Sequence, residues 1–282
     1  MNPKLIECPR DAMQGIETFI PTERKAEYIN ALLKVGFDTI DFGSFVSPKA
    51  VPQMADTAEV LKKLDMSNTK SKLLAVIGNQ RGAEEASQFD EITYLGYPFS
   101  ISETFQKRNL NSTIAESVDR VKEIMEAAVK RNKEVVTYIS MGFGNPYGDP
   151  WNEQIVMTWV DELHNLGIRI FSLADTLGVS KPEDISFIFS NLIPAYPQLE
   201  FGAHLHSRPD NWKEKLSAAW EAGCRRFDSA IGGYGGCPMA QDELVGNMKT
   251  EDVVGFVGQQ SEELAVDEDA LRRAQAISMH LF

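Results

Sequence analysis

Eight short apolar runs, each followed by a longer and more polar stretch, recur along this chain: KLIE (4–7), FDTIDFG (37–43), LLAVIG (73–78), EITYLG (91–96), VVTYISM (135–141), IRIFSLA (168–174), FGAHLH (201–206) and RFDSAI (226–231). No other feature limits the fold as much. The runs are mostly continuous in hydrophobicity, as expected of parallel strands covered on both faces. The segments between them, such as 21–36, 117–132, 150–167 and 211–223, carry a helical period, and three end in a glycine suited to a helix C-cap. Strand then helix, repeated eight times in 282 residues, reads as an α/β TIM barrel. The expected domain is single, 1–282, with 231–282 forming a glycine-rich loop and C-terminal helices. No Pro/Ser-rich linker divides the chain. An open doubly wound sheet would need a phosphate-binding glycine fingerprint after its first strand, and ECPRDAMQG (7–15) does not supply one.

Composition narrows the partners. A formal net charge of -13 argues against sequence-independent nucleic-acid binding, which needs a basic surface. The chain has no apolar stretch long enough for a membrane span, and MNPKLIECPRD at its start resembles neither a signal peptide nor an import leader. Cys8, Cys224 and Cys237 are odd in number and widely spaced, which fits a reducing compartment. A cytoplasmic protein is therefore expected, with no nucleic-acid or membrane partner; a homo-oligomer stays open. Lys107 and Arg108 in FQKRN form either a basic patch for an anionic substrate or a solvated charged turn.

A barrel of this kind gathers its chemistry at the carboxyl ends of the strands. His204 and His206 stand two apart at the end of the seventh run, so both imidazoles face one side and could grip one ion. A pair of structural histidines is the other reading. Asp11, at the mouth of the first strand, can converge on them. One carboxylate and two imidazoles leave positions open for substrate oxygens, which suits Mg²⁺ or Mn²⁺ as a Lewis acid. Arg10 could stabilise an oxyanion or enolate, or form a surface salt bridge. Cys237 lies in IGGYGGCPMA (231–240), among four glycines. It is either a mobile catalytic thiol or a cysteine in a tight turn. Cys8 and Cys224 read as core cysteines.

Several stretches carry a resemblance: ECPRDAMQ (7–14), DFGSFVSPKAVPQMAD (41–56), SETFQKRN (102–109), YISMGFGNPYG (138–148), ADTLGV (174–179), HLH (204–206), GGYGGCPMA (232–240) and GNMKTED (246–252). In this order they resemble successive motifs of the 3-hydroxy-3-methylglutaryl-CoA (HMG-CoA) lyase family. The Arg-Asp pair and H-x-H are shared with homocitrate and isopropylmalate synthases and the transferase domain of pyruvate carboxylase. The resemblance implies that Asp11, His204, His206 and Asn247 ligate a divalent cation, that Arg10 holds the thioester oxygen and that Cys237 takes part in proton transfer. It implies catalytic roles for Asp41, where the lyases usually carry Glu, and for Asp175. Gln14, Asn79 and Ser140 align with pocket positions. The activity implied is cleavage of HMG-CoA to acetoacetate and acetyl-CoA.

Three departures bear on substrate. Glu17 stands where the lyases have lysine, Ser207 follows the second histidine in place of an acid, and Asp41 is one methylene shorter than Glu. They keep a related lyase or aldolase, acting on another 3-hydroxyacyl-CoA or a 2-oxo acid, as the alternative. A non-catalytic barrel binding metal or a CoA ester is a third reading, opposed by the joint presence of Arg10, Asp11, both histidines, Cys237 and Asn247.

Overall fold

In the computed structural model, which describes residues 2–236, 245–260, 262 and 264–282, the eight strands close into one parallel barrel in sequence order. They are β1 (Lys4–Glu7), β2 (Thr39–Ser44), β3 (Lys72–Val76), β4 (Ile92–Ser100), β5 (Glu134–Ser140), β6 (Ile170–Asp175), β7 (Glu200–Leu205) and β8 (Arg226–Ser229). β8 pairs back onto β1, with Ile6 opposite Asp228 and Glu7 opposite Ser229. A TIM barrel is thus what the alternation of the sequence forms.

The helices are α1 (Pro9–Gln14), α2 (Thr22–Leu32), α3 (Thr57–Leu61), α4 (Gln80–Ala86), α5 (Glu103–Leu110), α6 (Ile114–Lys130), α7 (Glu153–Asn165), α8 (Pro182–Ala195), α9 (Trp212–Glu221), α10 (Thr250–Gln259) and α11 (Glu268–Ser278). The longest, α6, starts at a capping box in which Thr113 and Glu116 satisfy each other's backbone amides. Gly36, Gly167 and Gly223, the three expected helix-terminating glycines, all take positive φ. Among the described residues no helix is long and apolar enough to cross a membrane.

Strands buried on both faces produce two apolar layers. Leu74, Val76, Tyr94, Val136, Tyr138 and Ile170 fill the barrel interior, while a larger cluster, including Leu5, Ile40, Phe99, Phe171 and Phe227, lies between strands and helices. Several boundaries differ from the sequence reading. Asp11 lies within α1, not at a strand end. β4 runs on to Ser100 because Gly96–Ser100 pairs with Val136–Ser140. His206 falls one residue past β7, and a single bridge to Asn247 holds it.

Candidate active site at the carboxyl end of the barrel

Helix α1 follows β1 after one residue, with proline at its first position, where a missing N–H costs nothing. This short turn places Arg10, Asp11 and Gln14 side by side over the barrel mouth. Arg10 donates from Nε to both oxygens of Asp41 (3.2 and 3.0 Å) and from Nη2 to Asp41 Oδ2 (2.6 Å). From Nη1 it donates to Asp11 Oδ1 (3.1 Å) and Gln14 Oε1 (2.9 Å). Gln14 Nε2 in turn donates to Asp11 Oδ1 (2.6 Å). A guanidinium has five N–H groups; among the described residues four are engaged, which leaves one on Nη2 for a ligand. Burial works against the charge on Arg10, but Asp41 and Asp11 outweigh it and its pKa rises. Burial likewise opposes the Asp11 carboxylate, yet Arg10, His204, His206 and the Asn247 amide lower its pKa to about 2.

The two histidines converge on Asp11. His204 Nδ1 faces Asp228 Oδ2 (3.1 Å) and His206 Nδ1 faces the Val245 carbonyl (2.7 Å). An Nδ1 that meets an acceptor carries the ring proton, so each neutral imidazole turns a bare Nε2 inward. The two Nε2 atoms lie 3.3 Å apart. Two lone pairs at that separation repel unless a cation or a shared proton lies against them. Donor atoms of Asp11, His204 and His206 all fall within 4.8 Å of one another. A carboxylate and two Nε2 atoms so arranged fit a divalent cation. Burial depresses the His206 pKa, with His204 adding to the effect. For His204 burial is overcome by Asp228, and the pKa rises.

Asn247 adjoins this group, its Nδ2 donating to Asp11 Oδ2 (2.6 Å) and to the Tyr234 carbonyl (2.9 Å). Gly235 makes the approach feasible: at φ +101, an added Cβ would lie 2.6 Å from Asn247 Nδ2 and 2.8 Å from the Asp11 carbonyl.

Asn247 borders a second, smaller cavity, whereas Arg10, Asp11, Gln14 and the two histidines form one side of a cavity of about 480 Å³. Arg10, Asp11, Gln14, Asn79, Ser140, His204 and His206 all line it, and Val46, Ala50, Val51, Val76 and Leu110 supply an apolar wall. A ligand with an anionic, oxygen-rich head and an apolar arm fits such a division. Asp41 sits behind Arg10 with no side-chain exposure, so it acts on the cavity through that guanidinium.

Other expected residues are placed elsewhere. Asp175 does not line the cavity: its carboxylate binds Lys215 Nζ (2.8 Å), the Ser180 hydroxyl (2.5 Å) and the Val179 amide (2.9 Å), and its neighbour Thr176 lines the cavity instead. Lys107 pairs with Glu103 (3.0 Å) and Arg108 lies over the Tyr147 ring (4.7 Å), so neither lines the cavity. Both point off the last turn of α5, while Asn109, Leu110 and Asn111, with Arg120 from α6, reach the cavity. Glu17 is exposed on the surface, and Ser207 borders the second, smaller cavity, of about 290 Å³. Cys237 lies outside the described residues, whereas Cys8 and Cys224 are fully buried.

Two residues absent from the sequence reading belong to the site. Asp228 on β8 holds His204 Nδ1 while accepting from the Ser172 hydroxyl (2.8 Å) and Arg226 Nη1 (3.2 Å). Tyr138 lines the cavity with its ring 5.5 Å from that of His204, and its buried hydroxyl meets no hydrogen-bond partner among the described residues. Tyr138 stands two residues before Ser140 on β5, the one sequence signal for its inward aim.

Residues 3–277 match the model of the HMGL-like family. Over 251 residues, 89% of this chain and 83% of the relative, the chain is 32% identical to hydroxymethylglutaryl-CoA lyase YngG of Bacillus subtilis. It is 34% identical over 253 residues to the mitochondrial hydroxymethylglutaryl-CoA lyase of Bos taurus, covering 89% of this chain and 77% of that one. An HMG-CoA lyase from Acinetobacter baumannii, solved with coenzyme A and 3-methylmalate, superposes with a TM-score of 0.91 at 32% identity, covering 99% of this chain and 91% of that one.

Proposed function

The chain belongs to the HMGL-like family, and on that premise we propose that it is a divalent-metal-dependent carbon-carbon lyase cleaving HMG-CoA to acetoacetate and acetyl-CoA. The observation that carries this reading is the convergence of Asp11, His204 and His206 beside a charged, clamped Arg10 on the wall of one cavity. In the proposal Asp11, His204, His206 and Asn247, the last through its amide oxygen, hold Mg²⁺ or Mn²⁺. When bound, such a cation acts as a Lewis acid that acidifies the substrate's tertiary hydroxyl.

The chain's own groups do the rest. A base takes the hydroxyl proton, that carbon becomes the ketone of acetoacetate, and the neighbouring carbon-carbon bond breaks. Its electron pair moves into the thioester as an enolate. Arg10, held in place by Asp41, Asp11 and Gln14, offers its remaining Nη2 hydrogen to the enolate oxygen. Protonation of the enolate carbon completes acetyl-CoA, with Cys237 as the candidate donor. The Tyr138 hydroxyl, Ser140 and Asn79 are the candidate groups for the substrate's polar atoms, and the apolar wall receives its arm. Asp41 and Asp175 become positioning residues in this scheme, the first through Arg10 and the second through Lys215, which also donates to the His206 carbonyl (3.0 Å). A cytoplasmic location is part of the same proposal.

The test is a panel of acyl-CoA thioesters incubated with the protein and Mg²⁺ or Mn²⁺, with products read by mass spectrometry. Acetoacetate and acetyl-CoA from HMG-CoA are expected, and chelation should abolish them. Cleavage of a different 3-hydroxyacyl-CoA alone would keep the chemistry and discard the substrate. No turnover of any thioester would overturn the proposal.

A further inference from the structure

Glu7 is a fully buried carboxyl group that the proposed reaction does not use. It ends β1 in register with Ser229 of β8, and both side chains leave the barrel on its helix-covered side. There Glu7 Oε1 accepts from the Ile231 amide (2.8 Å) and Oε2 accepts from the Thr250 hydroxyl (2.5 Å). The Ser229 and Thr250 hydroxyls are themselves 2.9 Å apart. Among the described residues no cation acts on its charge: burial raises the pKa, the bonds from Thr250 and Ile231 lower it, and Glu251 raises it further. An apolar side chain would fill this place without the cost of burying a polar group, but would leave the Ile231 N–H unpaired.

The two donors stand at particular points of the chain. Ile231 is where the chain leaves β8 for the glycine-rich connection, and Thr250 is where it enters α10. The departing and returning stems run together. The Ala230 amide donates to the Met248 carbonyl (3.0 Å), and the Thr250 amide donates to the Ala230 carbonyl (3.1 Å). Gly246 and Gly233 approach so closely that a Cβ on Gly246 would lie 2.2 Å from the Gly233 carbonyl oxygen. Glu251, braced by Gln275 Nε2 (3.1 Å), accepts from the Gly232 amide (3.1 Å). Asn247 projects from this paired segment onto Asp11.

We propose that Glu7 is a positioning residue whose carboxyl clasps Ile231 and Thr250 together and so fixes the stem that presents Asn247 to Asp11 in the metal centre. The proposal rests on the reading of Asp11 and Asn247 given under the proposed function. Glu7 touches neither substrate nor ligand; its effect travels through the stems alone. Glutamine keeps the shape, one acceptor for the Ile231 amide and one polar group for Thr250. Leucine keeps much of the volume and loses both bonds.

The experiment compares wild type, Glu7→Gln, Glu7→Leu, Thr250→Val and, as a control, Val160→Ala in the buried face of α7. Two quantities are read without substrate: Mn²⁺ affinity, from the electron paramagnetic resonance signal of the free ion, and hydrogen exchange of peptides spanning 226–236 and 245–258. Glu7→Leu should weaken Mn²⁺ binding about tenfold, the lower end of the effect of losing a group that orients a ligand, and should speed exchange in both stems. Thr250→Val, which removes one arm of the clasp, should do the same to a smaller degree and covers the case in which Glu7→Leu fails to fold. Glu7→Gln should stay within about twofold of wild type. Val160→Ala should lose stability and leave both readouts unchanged, which a merely structural role for Glu7 would also do. Wild-type affinity and exchange in folded Glu7→Leu and Thr250→Val would overturn the proposal. So would Glu7→Gln behaving like Glu7→Leu, since the bonds would then not be what matters. If wild type bound no Mn²⁺, the metal reading would fail, while stem exchange would still decide the clasp.

Discussion

Replacing Glu7 by glutamine should remove a pH-dependent loss of stability that the wild-type chain carries. Burial raises the Glu7 pKa from 4.5 to about 8 against the pull of its two hydrogen bonds. In the unfolded chain the same carboxyl titrates near its ordinary value. Between those limits the unfolded state has released its proton while the folded state still holds one, so stability falls as pH rises. The contribution of the neutral carboxyl is whole below the unfolded pKa and gone above the folded pKa. Integrated from pH 5 to pH 9, this linkage amounts to about 4 kcal/mol, with more than half of it below pH 7. Glutamine does not titrate, so the comparison isolates the Glu7 carboxyl together with its coupling to neighbours such as Glu251. The stability gap between Glu7→Gln and wild type, from urea unfolding followed by circular dichroism at pH 5, 7 and 9, should therefore open in favour of the variant as pH rises. A gap that stays constant within about 1 kcal/mol across that range would refute the reasoning, because Glu7 would then not be held neutral by burial.

Three further outcomes are expected. Asp228→Asn removes the carboxylate that fixes His204 Nδ1, so calorimetric titration should find Mn²⁺ affinity lowered about 10- to 100-fold; unchanged affinity would mean that Tyr138 packing alone orients the ring. Arg10→Lys keeps the charge and loses the fork held by Asp41 and Gln14, so steady-state kinetics with HMG-CoA should show kcat falling far more than KM rises; a higher KM with kcat intact would reduce Arg10 to a binding residue. Brief alkylation followed by peptide mapping should label Cys237 ahead of Cys8 and Cys224. Burial pushes the Cys8 thiol well above its usual pKa and the Cys224 thiol up to about 12. First labelling at either buried cysteine would contradict this order.

Some of the site was legible before folding was considered. His204 and His206 could be read as a pair because two residues along a strand return a side chain to the same face, and that holds in any sheet. Arg10 and Asp11 were legible as neighbours after the first strand, and Gln14 only through the family resemblance; the helical turn that sets the three side by side came from the structure. Lys107, Arg108 and Asp175 stand outside the cavity lining for a related reason. Each stands in the right stretch of chain, but one residue along a helix turns the side chain by about 100°, and one residue of a turn likewise decides whether it enters the cavity or leaves it. On α5 that choice favoured Asn109 and Leu110; after β6 it favoured Thr176.

Asp228, Tyr138 and Glu7 were not legible, and the cause lies in the strands themselves. Strands buried on both faces carry no alternation of polar and apolar residues, so nothing in RFDSAI marks which residues look inward, and in VVTYISM only the two-residue spacing from Ser140 does. Eight strands and helices, the carboxyl-end placement of the polar turns and the histidine pair follow from the sequence alone, because each depends only on local period and order. Barrel closure decided the remainder. It set β8 against β1, which put Asp228 inside behind His204 and Glu7 outside against Thr250. The same closure brought Asp11 and Asn247, near opposite ends of the chain, within hydrogen-bonding distance, a contact fixed by strand register that no local pattern encodes.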